Sequence, residues 1–139
     1  MTKLPHFSSD TLWHRDTRYW AFDTPNLLNS WLALGSERLE NGGLKVIPGS
    51  HKIELEASQL NQDQFLNPDH PKNRLLLTQA RPVELEAGDV LLFSAHLIHA
   101  ASRNLTGEPK LSLVFTYHGE DTKPLPKTRS DALPEIMIK

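Results

Sequence analysis

A chain of 139 residues with a formal net charge of −2 has the size of one domain and no global basic field, so charge does not point to a nucleic-acid partner. It contains no cysteine, which excludes disulfides, thiolate metal sites and cysteine nucleophiles. No stretch approaches the about 20 apolar residues of a membrane span, and the first residues lack the apolar run of a signal peptide; the cytoplasm is the expected compartment.

Taken in chain order, Leu12 to Asp16 reads as a short strand and Thr17 to Asn26 as a loop carrying Tyr19, Trp20 and Phe22. Leu27 to Leu34 is read as a buried strand between turn-rich segments. Glu40-Asn41-Gly42-Gly43 is a turn, Leu44 to Ile47 a strand stopped by Pro48-Gly49-Ser50-His51. Residues 52–73 form a polar excursion with one helical turn expected around Glu54 to Leu60. Leu75 to Thr78 and Pro82 to Glu86 alternate as strands do. Ala87-Gly88-Asp89 turns the chain into a strand at Val90 to Phe93, and Asn104 to Pro109 forms another turn. Leu111 to Tyr117 is a strand rich in β-branched and aromatic residues. The predicted core is 1–119; 120–139 is a charged, proline-punctuated C-terminal tail, expected to be poorly ordered. Short strands joined by turns, with ten prolines and seven glycines, predict an all-β sandwich or barrel.

The chemistry lies in Trp13-His14-Arg15-Asp16 and His96-Leu97-Ile98-His99. On an extended strand, residues i and i+2 share a face, so His14 and Asp16 present an imidazole and a carboxylate together. A second histidine from another strand, with His51, His96 and His99 as candidates, completes a two-histidine, one-carboxylate facial set. Such a set suits non-haem Fe(II) and leaves coordination positions open. His96 and His99 are three residues apart, so in a regular strand only one of them can face this site.

Four blocks resemble the phytanoyl-CoA dioxygenase family. They are Trp13-His14-Arg15-Asp16 with Tyr19-Trp20; Ser30-Trp31-Leu32-Ala33-Leu34 running on to Glu40-Asn41-Gly42-Gly43-Leu44-Lys45-Val46-Ile47-Pro48-Gly49-Ser50-His51; Gly88-Asp89-Val90-Leu91-Leu92-Phe93; and Leu97-Ile98-His99 with Asn104. The resemblance covers roughly residues 10–118 and implies a double-stranded β-helix (jelly-roll, cupin-like) core. It implies an Fe(II)- and 2-oxoglutarate-dependent dioxygenase that uses O2, hydroxylates a small organic molecule and releases succinate and CO2. By the family pattern His14, Asp16 and His99 are the iron ligands; His99 is preferred to His96 by its distance from Asn104. Lys110 stands where the family usually has the arginine that receives the far carboxylate of 2-oxoglutarate, with Arg103 in reserve. Lysine supplies a point charge without the planar fork of arginine. Ser112 shares its face and adds a hydroxyl, and Trp31 matches a tryptophan of the co-substrate pocket. Ala101 replaces a serine common in the family, and Ser102 beside it points elsewhere. His51 is expected on the surface. Tyr19, Trp20 and Phe22 line the substrate entrance or cover the barrel end. The carboxylate of Asp16 argues for hydroxylation and against halogenation, which in related enzymes needs a small residue there.

Family members carry a substantial region ahead of the H-x-D strand, whereas 13 residues precede His14 here. The expectation is a minimal or N-terminally truncated core whose exposed strand edges favour a homo-oligomer. A second reading, a degenerate or non-catalytic metal-binding β-barrel module, stands beside the enzyme; a third is a cupin-like enzyme that uses its metal as a Lewis acid without O2.

Overall fold

The computed structural model describes residues 1–138. Its strands are β1 (Thr2–Lys3), β2 (Thr11–His14), β3 (Leu28–Ala33), β4 (Leu44–Val46), β5 (Arg81–Pro82), β6 (Val90–Ser94), β7 (His99–Ala101) and β8 (Lys110–Tyr117), with one helix, α1 (Pro71–Leu77). They form two four-stranded sheets, ordered β1-β8-β3-β6 and β2-β7-β4-β5, with every pairing antiparallel. The predicted all-β, double-stranded β-helix architecture is what the chain adopts.

In the first sheet β3 is central, and its alternation decides what faces inward. Asn29, Trp31 and Ala33 are buried and point toward the second sheet. Their cross-strand partners on β8 are Thr116, Val114 and Ser112. The opposite face carries Leu28, Val90, Leu92, Leu111, Leu113 and Phe115, all substantially exposed. One core cluster joins Trp31, Leu44, Phe93 and Ala101 between the sheets; another joins Ile47, Leu66 and Ile98.

The Asn41-Gly42-Gly43 turn works because two glycines meet different needs. Gly42 has φ +96°, in the left-handed region. A Cβ on Gly43 would lie 2.6 Å from the Arg38 carbonyl oxygen. The Pro48-Gly49-Ser50-His51 turn fastens the second sheet. Ser50 is fully buried, and its Oγ accepts the Ile98 N–H at 2.8 Å, one residue before β7 begins.

Several expectations are corrected. Leu75 to Thr78 is not a strand: Leu75 to Leu77 close α1 and Thr78 caps it. Pro71 at the first helical position starts the helix. Asn73 anchors it, donating to the carbonyls of Gln59 (2.7 Å) and Asn67 (2.8 Å). Four alternating residues are too few to distinguish the two periods. The strand expected at Pro82 to Glu86 is reduced to Arg81–Pro82 and an isolated bridge between Glu37 and Leu85. Two short pieces were not foreseen, β1 and β7, since neither is long enough to show alternation. The helical turn expected near Glu54 to Leu60 is a 3-10 turn at Ala57–Gln59. Part of the C-terminal stretch packs back on the core. Leu125 N–H donates to Ala21 O at 2.8 Å, Asp23 N–H to Lys123 O at 2.9 Å, and Ser130 Oγ accepts Ala21 N–H at 2.9 Å.

Candidate metal centre

His14 closes β2 and His99 opens β7, and the two are directly paired across that antiparallel ladder. Both are buried, at 3% and 5% exposure. The chain leaves β2 after His14. Asp16 therefore does not continue the strand as predicted; it begins a 3-10 turn, Asp16–Tyr19, with its N–H donated to Ala95 O at 2.9 Å. The carboxylate nonetheless reaches the same point. Asp16 Oδ1 lies 3.3 Å from His14 Nε2 and 3.5 Å from His99 Nε2. The three donor atoms fall within 4.8 Å of one another.

Metal–nitrogen bonds of about 2.1 Å at right angles would separate neighbouring donors by about 3 Å, and the two separations from Asp16 Oδ1, 3.3 and 3.5 Å, are close to that. The tautomers fit as well. Nδ1–H of His14 donates to Leu12 O at 2.7 Å and that of His99 to Leu97 O at 3.0 Å, so both Nε2 lone pairs face Asp16. Burial pushes the His99 imidazole below its ordinary pKa, with Asp16 opposing and His14 adding to the shift; the ring is kept neutral, as a ligand must be. His96 is similarly lowered by burial and by Arg15, but it sits in the turn before β7 and is not part of the cluster.

The sequence reading missed a supporting chain. Asn29 Nδ2 donates to Asp16 Oδ2 at 2.6 Å, turning Oδ1 toward the histidines. Thr116 Oγ1 in turn donates to Asn29 Oδ1 at 2.7 Å. The available signal was an amide side chain at Asn29, two residues before Trp31 and so on the same face of the strand.

A cleft of about 380 Å³ opens on the cluster, lined by Thr11, His14, Asp16, Trp31, His99 and Val114 among others. Ala101 and Tyr19 also line it. A second cleft of about 420 Å³ lies on the other side of His14, between Arg15, Arg18, Leu60 and His96. Tyr19 and Phe65 stand edge-on to the His14 ring, each at 5.6 Å between centroids, and Arg18 stacks over Phe65 at 3.9 Å. Phe22 lies instead against His118, at 4.8 Å, with Trp20 beside it. His51 is exposed, as expected. Arg103 is exposed and paired with Asp10 at 2.8 Å, away from the cleft.

Lys110 and Ser112 are buried but committed to one another and to Glu37. Lys110 Nζ lies 3.2 Å from Glu37 Oε2 and donates to Ser112 Oγ at 2.9 Å; Ser112 Oγ donates to Glu37 Oε1 at 2.7 Å. Trp31 Nε1–H donates to both Glu37 oxygens at 3.0 Å, and its ring lies 4.6 Å from Lys110 Nζ. Burial lowers the Lys110 pKa, with Glu37 opposing the shift. The cation predicted for a co-substrate is thus present beside Trp31, already facing a carboxylate that the sequence reading did not single out.

The sequence profile of the phytanoyl-CoA dioxygenase (PhyH) family matches residues 1–112. Phytanoyl-CoA dioxygenase 1 of Oryza sativa subsp. japonica is 32% identical over 121 residues, covering 87% of this chain and 42% of that protein. Dioxygenase lolE1 of Epichloe uncinata is 27% identical over 111 residues, covering 80% and 41%. The epimerase SnoN, solved with Fe3+, alpha ketoglutarate and nogalamycin RO, superposes with a TM-score of 0.76 at 26% identity, covering 96% of this chain and 57% of SnoN. The carbocyclase SnoK gives a TM-score of 0.76 at 22% identity, covering 94% and 51%, a likeness of fold. The chain spans about two fifths of the length of these curated relatives.

Proposed function

The chain belongs to the phytanoyl-CoA dioxygenase family, and on that footing we propose that it is an Fe(II)- and 2-oxoglutarate-dependent dioxygenase hydroxylating a small organic molecule. The observation that carries this reading is the convergence of His14, Asp16 and His99, from two strands and a turn, on donor atoms within 4.8 Å. Their chemistry fits ferrous iron: two imidazoles and one carboxylate on one face. When bound, the iron supplies the reductive activation of O2, coupled to decarboxylation of 2-oxoglutarate to succinate and CO2 and to transfer of one oxygen atom to the substrate.

The chain's own residues orient and enclose. Asn29 fixes the Asp16 carboxylate, and the carbonyls of Leu12 and Leu97 fix the two rings. Trp31, Leu44, Ala101 and Val114 provide the largely apolar wall of the cleft. Tyr19 and Phe65 shield His14 from water. Lys110, packed behind Trp31 and bonded to Glu37 and Ser112, is the cation assigned to a far carboxylate by this reading, although it does not itself line the cleft. Clefts of 380–420 Å³ match small-molecule substrates, and among the described residues no helix is long and apolar enough to cross a membrane. The exposed apolar face of the first sheet supports self-association, which sedimentation velocity measures directly.

The test is succinate formation by anaerobically purified protein given Fe(II), 2-oxoglutarate, ascorbate and O2, beside an iron-free control. Iron-dependent succinate, lost in His14→Ala, is the expected result. Bound iron without succinate, from the unchanged chain and from a panel of small-molecule substrates, would return the reading to a metal-binding module.

A further inference from the structure

The three components of the Lys110 network are buried to a degree unusual for charged groups: Glu37 is 1% exposed, Lys110 3% and Ser112 3%. Glu37 is held from several directions. Its backbone N–H donates to Leu85 O at 2.8 Å, and its carboxylate accepts from Trp31, Ser112 and Lys110. A carboxylate so placed does not swing away to make room. Lys110 has three N–H donors, of which Glu37 and Ser112 take two. Trp31 is shared: its ring lines the cleft of the metal centre, and its Nε1–H closes on Glu37.

We propose that Glu37 is a specificity-determining residue that sets the affinity of the site for a dicarboxylate 2-oxo acid, by holding a resident carboxylate against the cation that the incoming one must use. The inference rests on the proposed function above. Lys110 and Glu37 lie behind Trp31, each side chain 1% exposed and neither lining the cleft. A far carboxylate that displaces this packing to reach the remaining N–H of Lys110 arrives beside a fixed negative charge in a poorly solvated corner. Like-charge juxtaposition there opposes binding and offsets what the lysine contributes. The chain therefore gains little from the far carboxylate of 2-oxoglutarate. A 2-oxo acid of equal length with an uncharged tail meets no such opposition.

Glu37→Gln keeps the shape and the acceptor for Ser112 while removing the charge. The experiment titrates 2-oxoglutarate and, separately, 2-oxopentanoate into Fe(II)-loaded protein without O2. Binding is read by calorimetry and by the visible charge-transfer band that a 2-oxo acid chelating Fe(II) produces. In Glu37→Gln, 2-oxoglutarate is expected to bind at least about tenfold tighter, with 2-oxopentanoate unchanged within about twofold. A variant in which both acids move together, or neither moves, overturns the proposal. The unchanged chain provides an arm that does not depend on the variant's folding. Its two affinities should lie within about tenfold of each other, and a preference for 2-oxoglutarate of about 100-fold or more overturns the proposal. If neither acid binds any iron-loaded form, the dioxygenase reading itself fails and this inference falls with it; binding of 2-oxoglutarate with no effect of Glu37 removes this inference alone.

Discussion

His14 and His99 oppose one another across the β2–β7 pairing with ring centroids 4.4 Å apart, and each ring is pinned by Nδ1–H to the carbonyl two residues upstream. The pair is thus set by strand register, before any ion enters. Replacing either ring by alanine should lower Fe(II) affinity by more than the about 10–100-fold typical of outer-shell changes. Calorimetry with Fe(II) under argon checks this, and unchanged affinity in His99→Ala would shift attention to His96.

Asn29 acts one step back from the ligands. Asn29→Ala should reduce metal affinity by about 10–100-fold, because Asp16 loses the donor that orients it. Thr116→Ala should have a smaller effect, since it removes only the partner of Asn29. Metal titrations of the two variants rank them; the reverse order would refute the proposed chain.

Breaking the Glu37–Lys110 pair from one side should be costly. Lys110→Met leaves a buried carboxylate without its cation and is expected to destabilise the fold by about 3–5 kcal/mol. Glu37→Leu combined with Lys110→Met removes both charges and should recover most of that loss. Urea unfolding of the two variants gives the comparison, and equal stabilities would show that the pair contributes little.

Acid should weaken the metal-free fold near neutrality. His99 and His96 both have pKa values lowered from 6.5 by burial, so the unfolded chain binds protons that the folded chain refuses. The sign follows: their neutral forms suit the fold fully above 6.5, and stability falls as pH drops below 6.5 toward the folded-state values. Melting temperatures of metal-free protein between about pH 7.5 and 5.5 measure the slope. His96→Gln should flatten it without altering metal affinity.

The residues alone left His51, His96 and His99 open as partners of His14 and Asp16, and it was the family resemblance that implied His99. The strand at Lys110–Tyr117 announced itself by length and composition, whereas that at Leu28–Ala33, short enough to pass for a helix, also leaned on the resemblance. What stayed hidden depended on side-chain partners far apart in sequence. Glu37 carries no motif in the sequence, and only folding places it against Lys110, 73 residues away. Asp16 was expected to share a strand face with His14, yet it reaches the site from a turn anchored on Ala95. Leu75 to Leu77 alternated like a strand over too short a span, and the proline four residues before Leu75 began a helix instead.

The Asp16–Asn29 hydrogen bond joins the β2 connection to β3, and so one sheet to the other. At the opposite end Glu37, bridged to Leu85, grips Lys110 of β8. The sandwich is therefore fastened at two places, by different means. The Glu37 latch is built entirely from the chain and stays shut; the Asp16 latch is tightened by whatever ion the histidines hold. Loading with metal should slow amide exchange along β3 and β7 near Asn29 and His99 while leaving the Lys110 end unchanged, so that the mouth of the sandwich stiffens with occupancy and its floor does not.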